Sequence, residues 1–170
     1  MLTSGKDFWM QDSDTVLFVC SGNFYRSRFA EAVFNHLALN RRLAWRAHSR
    51  GFSPHLAMAD LSPLAREALE LRHIPLALTR RKPAKLLPLD FRRADLVICL
   101  NEAEHRPLLR RDFSEWSEQV TFWHIPDIDV EPSGSALTTL EQNVLELIEG
   151  LAASQSDSEP VIEPSFACEF

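Results

Sequence analysis

The sequence predicts an α/β domain built on a parallel sheet with helices on both faces, followed by an acidic tail. Three observations carry this reading. Residues 15–20 (TVLFVC) and 95–100 (DLVICL) are short, nearly continuous apolar runs, the pattern of strands buried on both sides. Helical patterns separate and follow them. All 18 basic residues lie before position 112, so the chain ends in a segment with acidic residues alone.

Taken in order, the first strand at 15–20 is followed after six residues by a helix whose Phe29, Val33, Phe34, Leu37 and Leu39 fall mostly on one face. Residues 44–49 read as a second strand ending at Gly51. Ser62-Pro63 is a helix start, with Ser as cap and Pro in the first turn, and Leu64, Ala68, Leu69 and Leu71 supply the apolar face. The strand at 95–100 leads into a helical stretch at 102–111, where Pro107 predicts a late start or a break. Residues 119–123 (QVTFW) suggest another strand and 126–135 a loop. Leu137, Leu140, Val144, Leu147, Ile148 and Leu151 then form the best amphipathic helix in the chain, closing near Gly150. The expected organisation is an N-terminal extension at 1–13, a domain at 14–153 and a flexible acidic tail at 154–170.

The 170 residues are 45% hydrophobic and carry a net charge of −6. Residues 26–111 hold 17 basic and eight acidic side chains, whereas 112–170 hold 13 acidic and no Lys or Arg. A basic middle suits an anionic ligand; equally, the two blocks can pair within the fold. No apolar run approaches the roughly 18–20 residues of a membrane span, so no membrane partner is expected. The first residues lack the apolar stretch of a secretory signal. Three cysteines, Cys20, Cys99 and Cys168, show no paired spacing, which points to a reducing, cytoplasmic setting. Arg41, Arg42, Arg46 and Arg50 lack aromatic interleaving, so a solvated face is expected there and no nucleic-acid partner. His124, Asp127 and Asp129 are ligand types, but loop acids beside a strand end arise readily without metal; no metal or cofactor is expected. The sequence carries no signal for oligomeric state.

The chemistry concentrates in Cys20-Ser21-Gly22-Asn23-Phe24-Tyr25-Arg26-Ser27, between a buried strand and a helix start. That placement turns successive backbone N–H groups and a helix N-terminus into one concavity, a site for a tetrahedral anion. Gly22 and Asn23 tolerate the positive φ such a loop needs. Arg26 can grip two phosphate oxygens with its planar fork. The amides, the helix dipole and Arg26 all favour thiolate at Cys20, which makes it a candidate nucleophile toward a phosphoester held above it. Ser27 can hydrogen-bond the sulfur and steady it as a leaving group.

These residues resemble the phosphate loop C-x-G-N-x-x-R-S of the low-molecular-weight protein tyrosine phosphatases, and the resemblance runs over about residues 14–150. It implies a flavodoxin-like three-layer fold with a four-stranded parallel sheet, a cysteinyl-phosphate intermediate and no metal. By the same resemblance, Ser21 to Ser27 bind phosphate, and Ser49 of Ser49-Arg50-Gly51 supports Asn23. His124-Ile125-Pro126-Asp127 resembles the approach to the family's general acid, which makes Asp127 the candidate and Asp129 a weaker competitor. The implied partners are a phosphorylated protein or small aryl phosphate, and phosphate-like oxyanions. The chain departs from the family pattern in several places. Tyr25 stands where a second cysteine is common, and Arg28 replaces a proline, which adds charge beside the site. Ile128-Asp129-Val130 replaces Pro-Tyr-Tyr, and Thr79 falls near a supporting His. Phe24 offers an apolar wall for an aromatic ring, or packs inward.

The leading expectation is therefore a protein tyrosine phosphatase using Cys20, Arg26 and Asp127. The alternatives are a phospho-ligand-binding regulatory protein with weak catalysis and an arsenate reductase, whose further cysteines could be Cys99 and Cys168 alone.

Overall fold

The computed structural model describes residues 13–79, 81–127 and 134–158. Its centre is a four-stranded parallel sheet of β1 (Asp14–Cys20), β2 (Trp45–Gly51), β3 (Leu96–Cys99) and β4 (Thr121–Phe122), in the order β2-β1-β3-β4. This is the flavodoxin-like order, with helices on both faces as expected. β1 explains its unbroken apolar run by feeding two cores. Val16, Phe18 and Cys20 face α1 (Arg26–Asn40), α2 (Pro63–Leu71) and α5 (Ser135–Ser158). Leu17 and Val19 face the opposite layer, where Phe91 of α3 (Pro88–Arg93) and Leu109 of α4 (Glu102–Asp112) pack. β2 and β3 flank β1 on opposite sides, so the carboxyl end of β1 is the point where connections diverge and a crevice opens.

Four details differ from the sequence reading. α4 starts at Glu102 and runs through Pro107 without a break. The proline forfeits one helical hydrogen bond, to the Ala103 carbonyl. The Asn101 cap on the Glu104 N–H and the burial of His105 and Leu109 outweigh that loss. α5 passes Gly150 and continues to Ser158, so residues 154–158 of the predicted tail are helical. Leu151 extends the apolar stripe onto the core, and Gln155 Oε1 accepts from the Ala44 N–H at 3.1 Å. Leu39 and Leu71 are 62% and 72% exposed. Each lies two residues beyond a core-packed side chain, Leu37 or Leu69, which turns it to the far side of its helix. Arg28, expected as added charge beside the cleft, is 1% exposed and folded into the interior.

The charge segregation closes on itself: Arg26–Asp127, Arg41–Glu149, Arg72–Glu141 and Arg106–Glu118 pair the basic middle with the acidic end. Arg50 pairs with Asp90. The expectations for residues 1–12, for Ile128, Asp129 and Val130, and for the tail with Cys168 lie outside the described residues. Among the described residues, no helix is long and apolar enough to cross a membrane.

Candidate active site

Residues 21–25 connect β1 to α1 across the crevice. The end of β2 braces them: the Phe52 N–H donates to the Cys20 carbonyl at 3.1 Å and the Ser53 N–H to the Ser21 carbonyl at 2.8 Å. Gly51 pairs with Cys20 in register, and a Cβ there would stand 2.8 Å from the Asn23 backbone nitrogen and from the Ser21 carbonyl oxygen. No side chain fits at that approach, hence the glycine. Within the loop, Asn23 takes the left-handed conformation at φ 53°, whereas Gly22 does not, contrary to the expectation for both. Gly22 is crowded instead by the Phe24 ring, 3.3 Å from where a Cβ would be.

Among the described residues, nothing accepts from the backbone N–H groups of Gly22, Asn23, Phe24, Arg26 or Ser27. The Arg26 Nε is buried and likewise lacks a partner. An unsatisfied buried donor costs about 1–3 kcal/mol, and an anion in the loop would supply acceptors for these groups.

Beneath it, Asn23 organises a saturated network. Its Nδ2 donates to Ser27 Oγ (2.8 Å) and Ser49 Oγ (3.0 Å). Its Oδ1 accepts from Arg81 Nη1 and from the Ala84 N–H, both at 2.9 Å. Two donors and two acceptor sites are all that an Asn amide has. Ser27 Oγ, which accepts from Asn23, also shares a hydrogen bond with Cys20 Sγ, 2.9 Å away. Ser49 in turn donates to Glu31 Oε2 at 2.7 Å, which also receives Thr79 Oγ1 (3.1 Å) and Arg81 Nη2 (3.0 Å). Glu31 is four residues on from Ser27, on the same face of α1.

On the other side, Arg26 is gripped by carboxylates. Its Nη1 and Nη2 donate to the two oxygens of Glu104 at 3.2 and 2.8 Å, a forked pair. Nη2 also donates to Asp127 Oδ2 at 2.7 Å, and Nη1 to the Ile125 carbonyl at 2.9 Å. Arg26 is 1% exposed, while the Glu104 and Asp127 side chains are 33% and 28% exposed. Burial alone would lower the Arg26 pKa. The Glu104 hydrogen bonds and the charges of Cys20, Asp127 and Glu104 more than offset it and hold the pKa above the ordinary value.

His105 completes this side. The Asn101 N–H donates to its Nδ1 at 3.1 Å, so the ring proton sits on Nε2 and can be donated to Ser21 Oγ at 3.3 Å. Ser21 Oγ then donates to Glu104 Oε2 at 3.3 Å. Burial against Phe52, with help from the Arg26 charge, pushes His105 down to about 3.

The predicted site residues Cys20, Ser21, Asn23, Arg26, Ser27, Ser49 and Asp127 thus meet in one place. Tyr25 contributes backbone only, its side chain being buried in the core. Phe24 is half-buried, one side on the core. His124 faces Glu102 at 3.7 Å rather than Asp127. Sequence reasoning missed Glu31, Arg81, Glu104 and His105. Asn101 and Glu104 have the spacing of a capping box, and Asn101 does cap Glu104. The Glu104 carboxylate, however, goes to Arg26.

Comparison with known proteins places the chain in a family. The family described as "Low molecular weight phosphotyrosine protein phosphatase" matches residues 15–156, and the chain belongs to it. The chain is 31% identical over 103 residues to the Homo sapiens low molecular weight phosphotyrosine protein phosphatase. That match covers 59% of this chain and 63% of the relative, so less than two thirds of the relative's length is spanned. Among solved structures, the low molecular weight protein tyrosine phosphatase from T. tengcongensis superposes with a TM-score of 0.62 at 25% identity, covering 86% of this chain and all of that one. The YwlE arginine phosphatase from Geobacillus stearothermophilus gives 0.70 at 23% identity over 86% and 98% of the two chains, a likeness of fold.

Proposed function

We propose that this member of the family hydrolyses phosphomonoesters, phosphotyrosine foremost, through a cysteinyl-phosphate on Cys20. The observation that carries the reading is the set of unclaimed donors, five backbone N–H groups and Arg26 Nε, in the loop that begins at Cys20. A phosphoryl group bound there receives those hydrogen bonds and draws Arg26 Nη2 from Asp127, whose carboxylate then takes a proton from solvent and stands as the acid for the leaving oxygen. The Cys20 thiolate attacks phosphorus, the P–O ester bond breaks, and Asp127 protonates the departing phenoxide. Asp127 then takes a proton from water as the oxygen attacks the cysteinyl-phosphate. The S–P bond breaks, inorganic phosphate leaves, and the Ser27 hydroxyl stabilises the released thiolate. The exposed side of Phe24 gives an aromatic substrate an apolar wall.

Arsenate reduction is disfavoured by Cys99. It is buried on the face of the sheet opposite Cys20, and burial, with the charge of Cys20, pushes its thiol up to about 12. A thiol so placed cannot relay oxidation.

The test is turnover of p-nitrophenyl phosphate without metal, inhibited by vanadate. Cys20→Ser abolishes turnover while phosphate binding persists. Asp127→Ala slows aryl phosphate hydrolysis by about 10²–10⁴-fold. Wild-type turnover in Cys20→Ser overturns the mechanism, and a phosphotyrosine, phosphoserine and phosphoarginine peptide panel decides the substrate class.

A further inference from the structure

A second concave site, about 420 Å³, lies between α1, the start of α2 and residues 76–79 and 81–82. Among the described residues, its walls hold four cations, Arg28, Arg66, Arg81 and Lys82, and one carboxylate, Asp60. Arg28 forms the deepest part of this charge. All five of its N–H groups go to neutral oxygens: the Thr79 hydroxyl and the carbonyls of Asn23, Asp60, Thr79 and Arg81. Its nearest carboxylate oxygen, Glu31 Oε2, is 3.8 Å away and is already shared with Arg81 at 3.0 Å. The two guanidinium groups therefore share the Glu31 carboxylate, and Asp60 adds a more distant negative charge. Burial, and then the neighbouring Arg81, push Arg28 down to about 10 against the opposing charges of Glu31 and Asp60. At the rim, the exposed Arg66 and Lys82 side chains have no hydrogen-bond or ion-pair partner among the described residues. Leu61, Leu76 and Ala77 supply apolar surface beside them.

We propose that this cavity binds a small organic anion, a sulfonate, phosphonate or carboxylate with an aryl or short alkyl group. Arg66 and Lys82 hold the anionic head, Arg28 and Arg81 supply the field behind it, and Leu61, Leu76 and Ala77 cover the apolar part. None of the lining residues belongs to the loop at 20–27, although Arg28 and Arg81 hydrogen-bond Asn23 from behind it. A plain solvated basic rim is the rival reading, and it differs in one respect: it has no saturable affinity for an amphipathic anion.

The experiment is an amide NMR titration of the wild-type chain, its phosphate loop saturated with vanadate, using benzenesulfonate as probe and sodium chloride at matched ionic strength as control. The expected result is a saturable shift at Leu61, Arg66, Leu76, Ala77 and Lys82 that chloride does not reproduce. In Arg66→Ala/Lys82→Ala the affinity falls at least fivefold, and Lys82→Glu alone gives the same loss by a second route. Shifts that do not saturate, that chloride reproduces, or that match between wild type and both variants overturn the proposal. So does a response that tracks displacement of vanadate from the loop. A chain that fails to bind vanadate fails the phosphatase reading instead, and the same titration without vanadate still decides the cavity.

Discussion

The two sides of the phosphate loop are built on opposite principles. The side under Asn23 is buried and complete: every hydrogen-bonding group of that amide is spoken for, and Ser27, Ser49 and Glu31 have defined donors and acceptors. The side around Arg26 is charged and exchangeable. Glu104 and Asp127 are each about one-third exposed, and both hold the guanidinium that a phosphoryl group would claim. A saturated network has one low-energy arrangement, which suits a loop that must keep its shape. Carboxylates at a solvent edge can trade partners at little cost, which suits the side that must respond to substrate.

The sharpest way to break the comparison is to alter one central residue on each side and read activity and stability separately. Arg26→Lys keeps the charge but loses the fork and the buried Nε–H. Its kcat/KM falls by roughly 10²–10³-fold, the usual worth of a donor aimed at a transition-state oxyanion. Its denaturation midpoint moves little, because the ammonium still faces Glu104 and Asp127. Equal losses of activity and stability would show that Arg26 is as structural as Asn23.

Asn23→Ala has the reverse signature. It leaves the Ala84 N–H without its acceptor, removes one hydrogen bond each from Ser27, Ser49 and Arg81, and places an ordinary residue at φ 53°. The unfolding free energy drops by about 2–4 kcal/mol, since four hydrogen bonds worth about 0.5–1.5 kcal/mol each are lost and one donor is left unsatisfied. Urea denaturation measures it. A loss below 1 kcal/mol would mean that the network is not the rigid half.

This contrast also explains what was legible in the sequence. Cys20, Gly22, Asn23, Arg26 and Ser27 were readable because one strand end, one tight loop and one helix start hold them contiguously. The four-stranded parallel sheet was readable because β1 and β3 carry their burial in their own composition. Arg81 and Glu104 were not, because tertiary packing alone brings them to the loop from 55 or more positions away. Arg81 sits among basic neighbours that look like a solvated face, and Glu104 sits in a capping pattern that fully accounts for it. Arg28 misled for a related reason: the first turns of α1 are buried on every side, so its pattern is not amphipathic and an interior arginine has no local signature.

The smallest effect tests whether the charged side extends beneath Arg26. His105 is held neutral, at about 3, by burial and by the Arg26 charge, while in the unfolded chain it titrates near its ordinary 6.5. Between those values the unfolded state binds a proton that the native state refuses. Stability contributed by this site is therefore whole above about pH 6.5 and is lost as pH falls toward 3, with a slope of at most about 1.4 kcal/mol per pH unit. His105→Gln, which keeps a donor toward Ser21, removes that slope. Urea unfolding of both proteins at pH 7, 6, 5 and 4 should give curves that converge as the pH falls, the wild type losing stability faster than the variant. Parallel curves would show that His105 titrates alike folded and unfolded. The positive field of Arg26 would then end at Glu104 and not reach the layer below.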